Sequence, residues 1–503
     1  MNIVIFCDGT WNSPEEEEFG LPVATNVYKL FRACMDRAES AGQQTVWYQQ
    51  GVGSTGGRVR RMVEGSTGTG IRANVKRGYA AIAANYTGPN DRIFLVGFSR
   101  GAFTARSIAG MIETVGLVKE ATRVVVDSAY AAYSRSRHHD SAEAEKHRAS
   151  EHVRSDVRVH AIGVWETVGA LGISFWGASF NLRRIFRNRF HVLSPSRITD
   201  NFIHALGIDE KRTSFMPTLW EQRDGGTART RIVESWFRGV HSDIGGGYGD
   251  CDLSDETLRW MAGQLRRLGL MLRDGAPKCA PDHNGRIHNS VRGPIWSNVA
   301  SWPRPTPLRA LGETGADPEH HLHESVLLRE RDAGLDGRNE RARRFLEVGE
   351  AVRVEIRAQV LWEYTGIVLK AGQVFELRDA GGVWQDDGET PVTAEGQPED
   401  DESRIKRLAR WSRRKPDAPY MALIAVPNVP VPAPERDLGL LEAIRFKLLP
   451  APPAYLGLMI AVNAGGTTLE PETDAMLWCF ANDLWRHYSN NTGSVVLEIL
   501  RSR

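Results

Sequence analysis

The stretch RIFLVGFSRGAFTARSIAGMI, Arg92 to Ile112, decides the fold. A short apolar run is followed by a segment rich in small residues, and between them Gly97-Phe98-Ser99-Arg100-Gly101 fits G-x-S-x-G. A serine nucleophile of this kind sits on a sharp strand-to-helix turn. The positions two before and two after it come too close to the backbone to carry a side chain. Ala102 and Ala105 then let the helix approach the sheet. The pentapeptide alone is weak, because 49 of the 503 residues are glycine, and the strand before it and helix after it give it weight.

Working outward, the first third of the chain alternates short apolar runs with amphipathic segments, the pattern of βα units that build a parallel sheet. Asn2 to Cys7 reads as a buried strand, Asn74 to Tyr86 as a helix ended by Gly88-Pro89, Arg92 to Phe98 as the next strand, and Ala102 to Val115 as the helix after it. Val157 to Trp165 and Arg231 to Val240 are further strands, each ending at a polar cluster. From Leu272 to Ala342 the pattern dissolves into Gly, Pro, His and charge, read as a long irregular segment wrapping the first domain. Beyond Glu347 the period becomes two. VRVEIR (Val352 to Arg357) alternates strictly, and TGIVLKAGQVFELRD (Thr365 to Asp379) carries the Ala371-Gly372 signal of a hairpin. The expected architecture is an α/β-hydrolase-like, mostly parallel sheet flanked by helices over 1–345, with an antiparallel β-sandwich over 346–503.

The charges nearly cancel, 63 Lys+Arg against 62 Asp+Glu, with 41% hydrophobic residues. That excludes an intrinsically disordered chain and a protein working mainly on the nucleic-acid backbone. Cys7, Cys34, Cys251, Cys279 and Cys479 show no CxxC spacing, so neither a disulfide framework nor a zinc ribbon is expected. The N-terminus MNIVIFCDGT lacks the basic region of a secretory signal, and no apolar run approaches the 18 residues of a spanning helix.

A serine hydroxyl needs a base to take its proton and a third group to orient that base. Glu166 in GVWETVGALG and His241 in WFRGVHSDIGGGYGD stand at strand ends, and the order Ser99, Glu166, His241 is the nucleophile, acid, base order of α/β-hydrolases. Asp243 and Asp8 compete with Glu166 as the acid. Backbone N–H groups of Arg100 and of Gly9 or Thr10, at the end of the first strand, are candidates for the oxyanion hole. The glycines Gly245 to Gly247 would let backbone approach the site.

Other features carry less. GSTGTG (Gly65 to Gly70) lacks the GK[ST] ending of a phosphate-cradling loop. His320-His321-Leu322-His323-Glu324 reads as a solvated loop, since adjacent histidines do not share one face. ISFWGASFNLRRIFRNRF (Ile173 to Phe190) has the composition of either a lipid-surface lid or an ordinary amphipathic helix. PEDDE (Pro398 to Glu402) and RIKRLARWSRRK (Arg404 to Lys415) form a charge-segregated patch, whose basic run reads as a solvated loop, with contact to anionic headgroups the other reading.

With these residues assembled, the sequence resembles the phospholipase-effector-like catalytic domain associated with bacterial type VI secretion, within the α/β-hydrolase superfamily. The carrying blocks are VIFCDGTWN (Val4 to Asn12), Gly51 to Gly53, VGFSRGAFTAR (Val96 to Arg106), GVWETVGALG (Gly163 to Gly172), ALGIDEKRTSFMPTLW (Ala205 to Trp220) and GVHSDIGGGY (Gly239 to Tyr248), in order. The resemblance implies a triad of Ser99, Glu166 and His241 acting without a cofactor on a phospholipid or related acyl ester. It also implies contact with a membrane surface, a secretion apparatus and an immunity protein as partners, no nucleic acid, and cytoplasmic synthesis followed by type VI export. The chain departs from the pattern at Glu166, where the family usually has Asp.

The end of the chain resembles a different family, the calcium-dependent galactophilic lectins of bacteria. FANDLWRHYSNNTGSVVLEI (Phe480 to Ile499) matches that fold's last hairpin. The resemblance implies calcium, with Asp483, Asn490 and Asn491 as oxygen ligands. His487 stands where a threonine ligand is expected. A carbohydrate or surface binding protein with an inactive hydrolase scaffold is the alternative function these features feed.

Overall fold

The computed structural model describes residues 1–9, 17–18, 21–51, 69–136, 141–168, 197–212, 215–220, 230–290, 301–333, 340–398, 400, 402, 413–428, 458–483 and 488–503. Two compact units divide the chain. Met1–Glu210, Ser214–Ser290 and Arg309–Val326 form the first, and Lys211–Thr213, Val291–Leu308 and Leu327–Arg503 the second.

The first unit is built on a seven-stranded sheet of β1 (Asn2–Cys7), β2 (Gln44–Gln49), β3 (Arg92–Phe98), β4 (Val159–Trp165), β5 (Thr199–Gly207), β6 (Arg231–Phe237) and β7 (His320–Leu322). The strands lie in the order β7-β6-β5-β4-β3-β1-β2, and neighbours pair in parallel. Side chains of a strand alternate between faces. Here both faces are covered. Ile3, Ile5, Ile93 and Leu95 pack in one core cluster with helices α2 (Thr69–Asn85) and α3 (Arg100–Val115). Val4, Phe6, Phe94 and Val96 pack in another with α1 (Asn26–Ala33) and α4 (Asp252–Arg267). That double covering is why these strands read as continuous apolar runs. Thr25 caps α1 by accepting the Tyr28 N–H, and α4 has acids in its first turn and arginines in its last, matched to the helix dipole. The chain order reverses between β1 and β3, and at such a switch point the strand ends leave a crevice for a ligand.

The mostly parallel sheet with flanking helices is the architecture expected. β2 and β5 were not legible in the sequence, and 272–342 is not wholly irregular, because it contains β7 and the helix Glu324–Ala333. Nor does it simply wrap the first unit, since Val291–Leu308 and the residues from Leu327 on group with the second. His320 to His323 is therefore not a solvated loop. His321 and Leu322 are buried in the β7 edge strand, and His323 stacks on Phe237.

The second unit contains two sheets. One orders β8 (Arg344–Phe345), β10 (Glu363–Leu369), β15 (Ala475–Ala481), β12 (Leu423–Asn428) and β13 (Ile460–Ala461) as β8-β10-β15-β12-β13. The other orders β9 (Ala351–Arg357), β16 (Asn491–Arg501), β11 (Phe375–Asp386) and β14 (Thr467–Leu469) as β9-β16-β11-β14. All pairings are antiparallel except β8 with β10. Apolar residues from both sheets, among them Ile356, Leu369, Trp384, Leu423, Leu477 and Leu497, close one core. This is the expected sandwich, with two connections different from the reading above. The turn at Ala371-Gly372 and the link at 482–490 join strands of opposite sheets, so neither forms a hairpin. The charged stretch is also not simply solvated, because Arg413 pairs with Glu402 at 2.5 Å and both, like Arg414, are buried. Residues 403–412 lie outside the described residues.

Candidate active site

Ser99 follows the last residue of β3 and precedes the first residue of α3, with φ 57° and ψ −121°. A non-glycine residue at positive φ costs roughly 1–3 kcal/mol and persists only where the surroundings enforce it. The surroundings here are glycine. A Cβ on Gly97 would stand 2.6 Å from the Gly101 carbonyl carbon, and one on Gly101 2.0 Å from the Cys7 oxygen. The spacing of G-x-S-x-G thus records two backbone contacts, one across the turn and one to the neighbouring strand β1.

Glu166 follows β4 and also has a positive φ, 46°. The Ser99 N–H donates to the Trp165 carbonyl at 3.1 Å, which ties the ends of β3 and β4 together. His241 opens a short helix, His241–Gly245, after β6. These three side chains meet. His241 Nε2 lies 2.9 Å from Ser99 Oγ, and His241 Nδ1 lies 3.0 Å from Glu166 Oε2. The other Glu166 oxygen accepts the Gly207 N–H at 2.7 Å. All three residues are buried. The imidazole is packed between Phe98, 4.7 Å away between ring centres, and the edge of Phe215, at 4.8 Å.

The loop bearing His241 is fixed from several sides. Glu210 accepts the His241 N–H at 3.3 Å, and Asn26 Nδ2 donates to the carbonyls of Ile244 at 3.0 Å and Ser254 at 2.8 Å. Gly245 has no room for a side chain, since its Cβ would fall 2.0 Å from the Phe98 ring. An imidazole placed in this way can take the serine proton on Nε2 while the carboxylate holds Nδ1–H.

The two rival acids face elsewhere. Asp243 accepts the Val240 N–H at 2.9 Å and pairs with His288 at 2.6 Å. Asp8 accepts Tyr48 Oη at 2.5 Å, Thr25 Oγ1 at 2.8 Å and the Gly9 N–H at 2.6 Å, and its burial raises the carboxyl to about 6 against those three hydrogen bonds. The Gly9 N–H, expected to face an oxyanion, is therefore engaged by the neighbouring carboxylate. Thr10 lies outside the described residues, as do Ile173 to Phe190 and most of Gly65 to Gly70. Arg100 stands as the first residue of α3. Sequence reasoning gave no role to Gly207, Glu210 or Phe215, although all three fall in the block Ala205 to Trp220 on which the family resemblance partly rests.

Residues 1–264 match the family described as T6SS, phospholipase effector Tle1-like, catalytic domain, slightly more than half of the chain. The chain belongs to that family. This Tle1-like chain is 28% identical over 236 residues to the uncharacterized protein YEL023C of Saccharomyces cerevisiae, an overlap covering 42% of the chain and 32% of the yeast protein. It thus spans about a third of the length of that curated relative. Among solved structures it overlaps an uncharacterized protein from Pseudomonas aeruginosa at 17% identity, 55% of this chain and 47% of that one, with a TM-score of 0.33. It also overlaps the Tle1 effector bound to the VgrG spike of the type 6 secretion system at 19% identity, 50% and 51% coverage and a TM-score of 0.29. The EclA N-terminal domain, a PllA-like lectin, overlaps at 15% identity, 30% of this chain and 94% of that one, with a TM-score of 0.19. These overlaps are partial. Within the Tle1-like chain no helix among the described residues is long and apolar enough to cross a membrane.

Proposed function

We propose that this Tle1-like domain is a serine hydrolase that cleaves an acyl ester bond of a phospholipid, with Ser99 as nucleophile, His241 as general base and acid, and Glu166 as the orienting carboxylate. The observation that carries the reading is the continuous hydrogen-bonded array from Ser99 Oγ through both nitrogens of His241 to Glu166. Ser99 Oγ attacks the acyl carbonyl as its proton passes to His241 Nε2. The imidazolium, stabilised by Glu166, then returns the proton to the departing alkoxide, and water hydrolyses the acyl-enzyme by the same route in reverse. The N–H of Arg100, at the start of α3, and that of Thr10 are the donors assigned to the oxyanion. Family membership supports phospholipid as the acyl donor, and with it contact with a membrane surface, export by a type VI machine from the cytoplasm, and an immunity protein as partner.

Fatty acid release from phosphatidylglycerol and phosphatidylethanolamine vesicles, together with labelling by a fluorophosphonate, tests the reading. Wild type should release acid and label. Ser99→Ala should do neither. A wild-type chain that is folded yet inert to the probe would favour a binding role on an inactive scaffold.

The sandwich carries a second reading, a calcium site. Tyr420 Oη lies 2.6 Å from Asp386 and 2.8 Å from Asp483, and its single hydrogen can be given to only one of them. Asn490 and Asn491 donate their amide groups to Asp386 and Asp483, at 2.6 and 3.0 Å, while their side-chain oxygens are buried and accept no hydrogen bond among the described residues. Two close carboxylates and two unused amide oxygens are the donor set of a hard cation. Asp483, Asn490 and Asn491 are thus proposed as ligands, joined by Asp386, and the bound ion would neutralise the carboxylates. Calcium should raise the melting temperature of the whole chain and a chelator reverse it. An unchanged melt in both, matched by Asp483→Asn, would remove calcium from the reading.

A further inference from the structure

Behind the hydrogen-bonded array a row of buried polar side chains crosses three adjacent strands. In the parallel register Glu234 of β6 stands opposite His204 of β5 on one side and His320 of β7 on the other. His204 and Glu234 are wholly buried and His320 is half-buried. His204 Nε2 accepts the Thr167 N–H at 3.1 Å, so its ring lone pair is used there and the ring hydrogen sits on Nδ1, 3.1 Å from Glu234 Oε1. The same carboxylate oxygen accepts the Trp220 N–H at 2.9 Å, and the other pairs with His320 Nδ1 at 2.9 Å. Burial alone would raise this carboxyl, but the hydrogen bond from His204 and the pairing with His320 hold it well below the usual carboxylate range. Glu234 therefore stays a carboxylate and an acceptor, which places the His204 hydrogen on Nδ1 and leaves Nε2 to face Thr167.

Thr167 follows Glu166, and three hydrogen bonds tie this bend to the His204–Gly207 segment. The Glu166 N–H donates to the Ala205 carbonyl at 2.9 Å, the Gly207 N–H to Glu166 Oε1 at 2.7 Å, and the Thr167 N–H to His204. Only the last uses a side chain of the His204–Gly207 segment. Glu166 has one methylene more than aspartate, and at φ 46° its peptide bend is one that most residues avoid. We infer that His204, oriented by Glu234 and His320, is the positioning residue that holds the Glu166–Thr167 bend where the carboxylate meets His241 Nδ1. This rests on Glu166 being the orienting acid, and the experiment separates the two claims.

The test is a double-mutant cycle on ester hydrolysis, with each variant's folding checked by its melt. His204→Phe removes the acceptor and should lower kcat by about 10- to 100-fold at little change in KM, the scale of a misplaced catalytic group. His204→Gln keeps an acceptor near the Nε2 position and should recover most of the loss. In the Glu166→Gln background the same changes should cost almost nothing more, because the residue acts only through Glu166. Should His204→Phe fail to fold, His320→Gln on the half-buried edge strand replaces it, with an expected loss of several-fold in wild type and none beside Glu166→Gln. Equal losses in both backgrounds, or full kcat in whichever of His204→Phe and His320→Gln folds, with a poor melt alone, would overturn the inference. If Glu166→Gln is itself as active as wild type, the acid assignment fails first and the positioning role falls with it.

Discussion

The α carbon of Gly101 lies so close to the carbonyl of Cys7 that a Cβ there would stand 2.0 Å from its oxygen. The start of α3 is thereby pressed on the end of β1, with Ser99 at the carboxyl end of the central strand β3. Both contacting groups are backbone, so neither can swing aside. Gly101→Ala should destabilise the first unit by about 2–4 kcal/mol, the scale of overpacking added to a displaced backbone. Urea unfolding should show it, and a variant with an unchanged midpoint would contradict the contact.

Glu166 should tolerate neither of its conservative replacements. Glu166→Gln offers His241 an amide in place of a charge and should lower kcat by about 10⁴-fold. Glu166→Asp keeps the charge but withdraws it by one methylene from a bend set for glutamate, and should lower kcat by about 10²-fold. Steady-state rates on a short acyl ester give both values, and an aspartate variant faster than wild type would refute the geometric account.

Asp8 predicts an unusual pH dependence of stability. Its folded-state carboxyl is raised from 3.8 to about 6 by burial. The folded chain therefore binds this proton more tightly than the unfolded one, so the contribution of Asp8 is most favourable below 3.8 and declines as pH rises to about 6. The two-unit shift amounts to about 3 kcal/mol. Relative to wild type, Asp8→Asn should gain stability by up to that amount between pH 4 and pH 6, and urea midpoints that stay parallel across this range would count against it.

In the second unit Arg413 and Glu402 form a buried ion pair at 2.5 Å. Removing one member leaves the other charge in the core, which costs about 3–5 kcal/mol. Arg413→Ala should accordingly lower the melting temperature far more than Arg353→Ala, whose partner Glu498 is reached across an exposed strand pair. Comparable melts for the two would show that the buried pair is dispensable.

The elements legible in the sequence are those whose reason is local. β1, β3 and β4 are mostly apolar because helices cover both faces, and the elbow needs glycine within two residues of Ser99. β2 and β5 were not legible. Their buried polar side chains, Gln44 and His204, depend on groups far along the chain, Gln44 on the Met271 carbonyl and His204 on Thr167 and Glu234. A local pattern contains no trace of such partners. The Ala371-Gly372 turn was visible as a turn, but a turn signal does not say whether the strands it joins share a sheet.

The sequence by itself determined the elbow, the order of Ser99, Glu166 and His241, and the change from helical to two-residue periodicity, because each depends on neighbours a few residues apart or on simple chain order. Tertiary structure alone decided which carboxylate meets His241, that the Gly9 N–H is spent on Asp8, and that His204, Glu234 and His320 align behind Glu166. Those choices are made between strands separated by tens of residues. There, burial makes an unpaired polar group costly, and the partner is selected by the register of the sheet.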